Sequence, residues 1–136
     1  MPRILVIDHQ THVRTAIVLA LQANGFDVVA AESGPSALAS FEQSSFDLAI
    51  ADVFMPGIDG VTLIKSLRKR NPRFPVIAMS GVLLGSGRTA LDHLPNIADL
   101  SDVICLQKPF RPHQLLEAVA AALPAAAQMK QPAQTV

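Results

Sequence analysis

Leu48-Ala49-Ile50-Ala51-Asp52 is the stretch from which the rest of the chain can be read. Four apolar residues run without a break and end on a carboxylate. A strand with one wet face alternates apolar and polar side chains, whereas a strand covered on both faces reads as a continuous apolar run. The same form recurs at Ile4-Leu5-Val6-Ile7, Val28-Val29-Ala30-Ala31, Val76-Ile77-Ala78-Met79 and Val103-Ile104-Cys105-Leu106. None approaches the roughly 18 apolar residues that a membrane span needs.

Helical patterns lie between these runs. Val13, Ile17, Ala20 and Leu21 recur at helical spacing, and Asn24-Gly25 supplies a stop. Ser33-Gly34-Pro35 reads as a helix start, with Leu38 and Phe41 on the buried stripe. Asp59-Gly60 precedes the stripe Val61, Ile64 and Leu67, which Asn71-Pro72 closes. Pro112 opens a last helix with Leu115, Leu116, Val119 and Leu123 on one side. Strand and helix thus alternate five times, which predicts an α/β fold with right-handed crossovers. Between Gly81 and Asp102, glycines loosen the pattern; a short helix near Thr89–Leu94 and a turn near Asn96–Leu100 are expected there. The last residues, Pro124 to Val136, are mostly Ala, Gln and Pro, and are expected to be a disordered tail or linker stub.

The composition excludes several classes. The 136 residues suit one domain, and half of them are apolar, enough for one buried core. Eleven basic residues balance eleven acidic ones, so no charge excess points to nucleic acid or an anionic membrane. One cysteine rules out an internal disulfide framework and a cysteine-built zinc site, and fits a reducing compartment. The only apolar run near the N-terminus is too short for a signal peptide.

In open α/β sheets, function collects at the carboxyl ends of the strands. Those ends carry Asp8-His9, Asp52, Ser80 and Lys108. The fold would bring two carboxylates, a hydroxyl and an ammonium to one edge, a set suited to phosphoryl chemistry. A carboxylate such as Asp52 can attack a phosphoryl group and form an acyl phosphate. Lys108 and a bound Mg2+ could offset the added charge, and the Ser80 hydroxyl could bond a phosphoryl oxygen.

Val6-Ile7-Asp8, Ala51-Asp52-Val53-Phe54-Met55-Pro56-Gly57-Ile58-Asp59-Gly60, Met79-Ser80-Gly81 and Lys108-Pro109-Phe110 resemble the motifs of response-regulator receiver domains, over about residues 3 to 123. The resemblance implies a flavodoxin-like, doubly wound five-stranded parallel sheet of order 2-1-3-4-5. It implies a receiver domain over 1–123, Asp52 as phosphoacceptor, Ser80 as switch hydroxyl and Lys108 as the phosphate-pairing lysine. It also implies a cis bond at Pro109, and Mg2+ held by Asp8, Asp52 and the backbone carbonyl of Phe54. The partners would be a histidine kinase or phosphotransfer protein and a downstream protein reader or output domain, in the cytoplasm. Such a domain is a signalling module, not a metabolic enzyme.

Three departures from the family pattern stand out. His9 occupies the place of a second acid, and neutral imidazole is a poor ligand for a hard cation such as Mg2+. Its ring is expected close to the Asp8 and Asp52 carboxylates. Cys105 replaces the family's switch aromatic and is expected to pack beside the last helix. The stretch from Ser80 to Lys108 is several residues longer than usual. These departures support an alternative reading: a pseudo-receiver that binds proteins without being phosphorylated. A phosphatase or flavin-type binder is disfavoured, because His9-Gln10-Thr11-His12 has no glycine to cradle a phosphate. His12, His93 and His113 read as solvated. Arg68, Lys69, Arg70 and Arg73 read as favourable charges at a helix end. No output domain fits after residue 123, so the chain is expected either to act alone or to be a piece of a longer protein.

Overall fold

The structure, a computed structural model, describes residues 2–53, 60–80 and 102–123. In chain order the elements are β1 (Arg3–Ile7), α1 (Thr11–Ala23), β2 (Asp27–Ala31), α2 (Gly34–Gln43) and β3 (Leu48–Asp52). They continue with α3 (Gly60–Arg70), β4 (Val76–Ser80), β5 (Ile104–Gln107) and α4 (Pro112–Ala122). The strands pair in parallel in the order β2-β1-β3-β4-β5, as the resemblance implies.

Local chemistry sets the helix limits. α1 ends where Gly25 adopts a left-handed φ of 88°, a conformation that costs glycine little. The amides of Asn24 and Gly25 then close onto the carbonyls of Leu21 and Gln22. α2 starts in a reciprocal cap: Ser36 N–H donates to the Ser33 hydroxyl, and Ser33 N–H donates to the Ser36 hydroxyl, both at 3.2 Å.

The continuous apolar runs resolve into two cores. Leu5, Ile7, Ala49, Ala51 and Ala78 face α2 and α3, packing with Ala37, Leu63, Ile64 and Leu67. Ile4, Val6, Leu48, Ile50, Ile77 and Met79 face α1 and α4, packing with Ile17, Leu21, Leu115 and Val119. Each strand alternates between the two, as the two-residue period of a strand requires. β1, β3 and β4 are therefore sealed on both sides.

The flanking strands are not. β2 exposes Ala30, and β5 exposes Cys105 and Gln107. Cys105 does not pack beside the last helix, contrary to expectation. Leu106 and Ile104 face α4, so alternation turns Cys105 to the opposite side of the edge strand. The expected helix near Thr89–Leu94, the turn near Asn96–Leu100, the tail 124–136 and Phe54 lie outside the described residues.

α3 begins against the end of β3. Gly60 N–H donates to the Val53 carbonyl at 3.2 Å, and a Cβ on Gly60 would sit 2.3 Å from Val53 Cα. Only glycine permits that approach. Among the described residues, no helix is long and apolar enough to cross a membrane.

Candidate functional site

Parallel strands put all their carboxyl ends on one edge of the sheet. Asp8 directly follows β1, Asp52 ends β3, Ser80 ends β4 and Lys108 directly follows β5. β1 pairs with β3, which sets Asp8 beside Asp52. β4 pairs with β5 with Ser80 opposite Gln107, and the Lys108 amide donates to the Ser80 carbonyl at 2.8 Å. The Lys108–Pro109 peptide bond is cis, as expected.

Of the side chains named from the strand ends, Asp8, Asp52 and Lys108 meet, and Ser80 is buried at the end of β4. Asp8, Asp52 and Ser80 are buried, with relative exposures of 0%, 3% and 0%. Lys108 Nζ donates to Asp8 Oδ2 at 2.7 Å and to Asp52 Oδ2 at 3.1 Å. One ammonium therefore bridges two carboxyl groups largely shielded from water. Charge-assisted bonds of this length, in a medium less polar than water, hold the lysine in place.

His9 stands at the mouth of this pocket, half exposed. Its Nδ1 lies 3.9 Å from Asp8 Oδ1 and 3.7 Å from Asp52 Oδ2, as the sequence led one to expect. Asp8, His9 and Asp52 each present one ligand atom, all within 4.8 Å of one another.

Two residues were not singled out in the sequence. Gln10 N–H donates to Asp8 Oδ1 at 2.8 Å, a side-chain turn that fixes the carboxyl group and seats the start of α1. Gln10 Oε1 also accepts from Lys108 Nζ at 3.5 Å. Arg14, one turn into α1, donates to the Asp8 backbone carbonyl at 2.7 Å. An Asp two residues before the N-cap Gln10 is the signal for the first contact; nothing local signals the second. Beside the pocket, Val13, Ala16 and Ile17 of α1 face Pro109 and Phe110 across an apolar groove of about 460 Å3.

The family model of the response regulator receiver domain matches residues 4–120. The chemotaxis protein CheY of Bacillus subtilis is 34% identical over 118 residues, covering 86% of this chain and 93% of that protein. The transcriptional regulator NtrC of Salmonella typhimurium is 29% identical over 107 residues, covering 74% of this chain. This chain spans only 23% of that regulator's length. Among solved structures, CheY4 of Vibrio cholerae superposes with a TM-score of 0.78 at 26% identity, covering 90% of this chain and 99% of that one. The response regulator TrrA of Thermotoga maritima, solved in complex with Mg(2+)-BeF, gives a TM-score of 0.74 at 30% identity, covering 90% and 100%. With its sheet order, its buried strand-end carboxylates and these matches, the chain belongs to the response regulator receiver domain family of two-component signalling.

Proposed function

We propose that Asp52 accepts a phosphoryl group and that its phosphorylation shifts a two-state equilibrium read by a partner. A carboxylate oxygen of Asp52 attacks phosphorus, the bond to the donor breaks, and the donor leaves with its electron pair. The product is an aspartyl phosphate. Lys108 offsets charge on the transferred group, and Ser80, at the end of the adjoining strand, would hydrogen-bond one of its oxygens. Asp8 and Gln10 orient Lys108. The observation that carries this reading is the Lys108 ammonium bridging Asp8 and Asp52 at the carboxyl edge of the sheet.

Receiver domains bind Mg2+, and this chain keeps the Asp8–His9–Asp52 cluster where such an ion would sit. The fit is divided. Two carboxylate oxygens suit a hard cation, and the imidazole nitrogen of His9 does not. Weak Mg2+ binding follows, with the Phe54 carbonyl as the remaining expected ligand.

Membership in the family implies a histidine kinase partner; the direct donor would be that kinase or a phosphotransfer protein. The apolar groove between α1 and Phe110 adjoins the pocket and supports docking there. Residues 1–123 would serve as the receiver unit, read by a protein partner or output domain, in the cytoplasm. His9 and the exposed Cys105 favour a second reading, a pseudo-receiver whose interactions need no phosphorylation.

Intact-mass measurement after treatment with acetyl phosphate and a divalent cation separates the two. One phosphoryl group on the wild type and none on Asp52→Asn supports the phosphoacceptor. Equal labelling of both proteins sinks the assignment, and no labelling of either favours the pseudo-receiver.

A further inference from the structure

We infer that Asp8, His9 and Asp52 form a mixed nitrogen–oxygen site that selects a first-row transition dication, such as Co2+ or Zn2+, over Mg2+. The inference rests on reading this pocket as the receiver site and concerns which cation it takes.

Geometry comes first. His9 Nδ1 is 3.9 Å from Asp8 Oδ1 and 3.7 Å from Asp52 Oδ2. Two donors on one cation with bonds of about 2.1 Å lie at most about 4.2 Å apart. Both distances to His9 fall within that reach, and the three donor atoms lie within 4.8 Å of one another, close enough to converge on one ion after small side-chain shifts. The Asp8 carboxyl group divides its work. Its Oδ2 takes the Lys108 ammonium, and its Oδ1 turns toward His9. At Asp8 the cation position and the lysine thus occupy different sides of the carboxyl group, whereas at Asp52 both draw on Oδ2, which the Lys108 ammonium reaches at 3.1 Å. The Gln10 amide on Asp8 Oδ1 holds that oxygen in orientation, as outer partners of metal ligands commonly do.

Burial supplies the second argument. Both carboxyl groups are shielded, while the His9 side chain is 40% exposed. An entering ion meets the imidazole first and exchanges water for two carboxylate oxygens further in.

Donor chemistry sets the selectivity. Mg2+ is small, gives up its water reluctantly and takes oxygen ligands. Imidazole suits Zn, Cu, Fe and Ni, and affinity at a mixed site rises along the first row toward copper. Replacing an oxygen donor by a nitrogen at an otherwise acidic site weakens the first class and strengthens the second. A purely solvated His9 would leave the two classes unaffected.

The test uses the full chain and the metals alone. Co2+ and Mg2+ are titrated into wild type, His9→Ala and His9→Asp, with Co2+ followed by its visible absorption and Zn2+ by the His9 ring signals in NMR. His9 is at the surface of the pocket mouth, so these variants keep the fold. His12 and His113 are exposed on helices and are present in every variant, so any Co2+ they bind cancels. Losing a metal ligand should cost at least the roughly tenfold affinity that losing an outer partner costs. Co2+ affinity should accordingly fall about tenfold or more in His9→Ala. His9→Asp should move the Co2+-to-Mg2+ preference toward Mg2+ by a similar factor. Equal Co2+ affinity in wild type and His9→Ala, or an unchanged preference in His9→Asp, overturns the inference. Acetyl phosphate labelling of the same samples keeps the two readings apart. Altered metal selectivity without labelling supports this site and removes the phosphoacceptor reading. Labelling of Asp52 with unaltered selectivity removes this site alone.

Discussion

At the carboxyl edge of the sheet, Lys108 sits on two carboxylates whose side chains are 0% and 4% exposed. At the amino edge, Arg3, Arg68 and Arg70 each meet one carboxylate, and those acids are 47%, 67% and 55% exposed. The residue types are the same, and the surroundings differ. An exposed pair gains little, about 0–1 kcal/mol, because water and salt screen it. A buried pair bears a desolvation cost that well-packed apolar residues would avoid. Placing two acids on one lysine inside a protein therefore does not follow from the needs of stability. It follows if the carboxylates must be kept from water and held in register for chemistry. The amino edge ties neighbouring elements together, and the carboxyl edge shields the groups that the proposed phosphoryl chemistry would use.

The largest predicted effect comes from removing the shared cation. Lys108→Met should destabilise the domain by about 3 kcal/mol at neutral pH, at the low end for breaking a buried pair because Nζ retains some solvent contact. Asp8→Asn leaves one acid per ammonium and should cost far less. Urea unfolding of the two variants measures the contrast. Similar losses in both would mean that the carboxyl edge is no more sealed than the amino edge.

Next comes the approach of α3 to the end of β3. Gly60→Ala puts a Cβ against the Val53 backbone, and should cost about 1–3 kcal/mol through forced displacement. It should also reduce phosphorylation of Asp52, since Val53 follows it directly. A fully stable Gly60→Ala protein would show that the carboxyl edge absorbs the shift this close contact demands.

These two sites also mark how far the sequence could be read. Strands β1, β3 and β4 were visible because burial on both faces leaves an unbroken apolar run, and their ends named Asp8, Asp52 and Ser80 directly. The edge strands were legible as strands but not in their exposure, because Val103–Leu106 has the same composition although Cys105 is exposed. Gly60 was legible as a helix boundary but not as a point of backbone contact. Val53 lies against it in space, a proximity that no periodicity records. Arg68 was read as a charge at a helix end. Its bond to the Phe74 carbonyl at 3.1 Å depends on how the chain turns from α3 into β4, and its bond to Asp102, 34 residues away, on how α3 meets the approach to β5.

That Arg68–Asp102 pair gives the smaller effect at the amino edge. The guanidinium reaches the carboxylate with two bonds, at 2.8 and 3.0 Å. The Arg68 hydrogen bond holds the Asp102 carboxyl below its ordinary value of 3.8, with slight burial opposing it. A depressed folded pKa means that the contribution is present above the unfolded value and disappears as pH falls through the folded one. Asp102→Asn should therefore cost no more than about 1 kcal/mol at neutral pH. Its difference from wild type should shrink only below about pH 3.8, and should also shrink in high salt. Thermal unfolding at several pH values and salt concentrations checks both. A loss as large as that of Lys108→Met would erase the distinction between the two edges.

The least effect is predicted at Cys105, and it tests how far the carboxyl edge communicates. Cys105 is exposed on β5, and its side of the strand is opposite the face that packs on α4. Cys105→Ala should change stability by less than about 0.5 kcal/mol, as exposed substitutions usually do. The same placement limits signalling. A phosphoryl group on Asp52 would draw on Ser80 and on Lys108, which lies three residues beyond Cys105. A thiol on the outer face, however, has no ring to swing inward and carry that motion to α4. NMR shift mapping with beryllofluoride should show large changes near Asp52, Ser80 and Lys108, and small ones over Ile104–Leu106 and α4. Changes in α4 as large as those around Asp52 would show that the sealed edge is coupled to this surface by another route, through the Lys108–Pro109 connection rather than through the side chain at position 105.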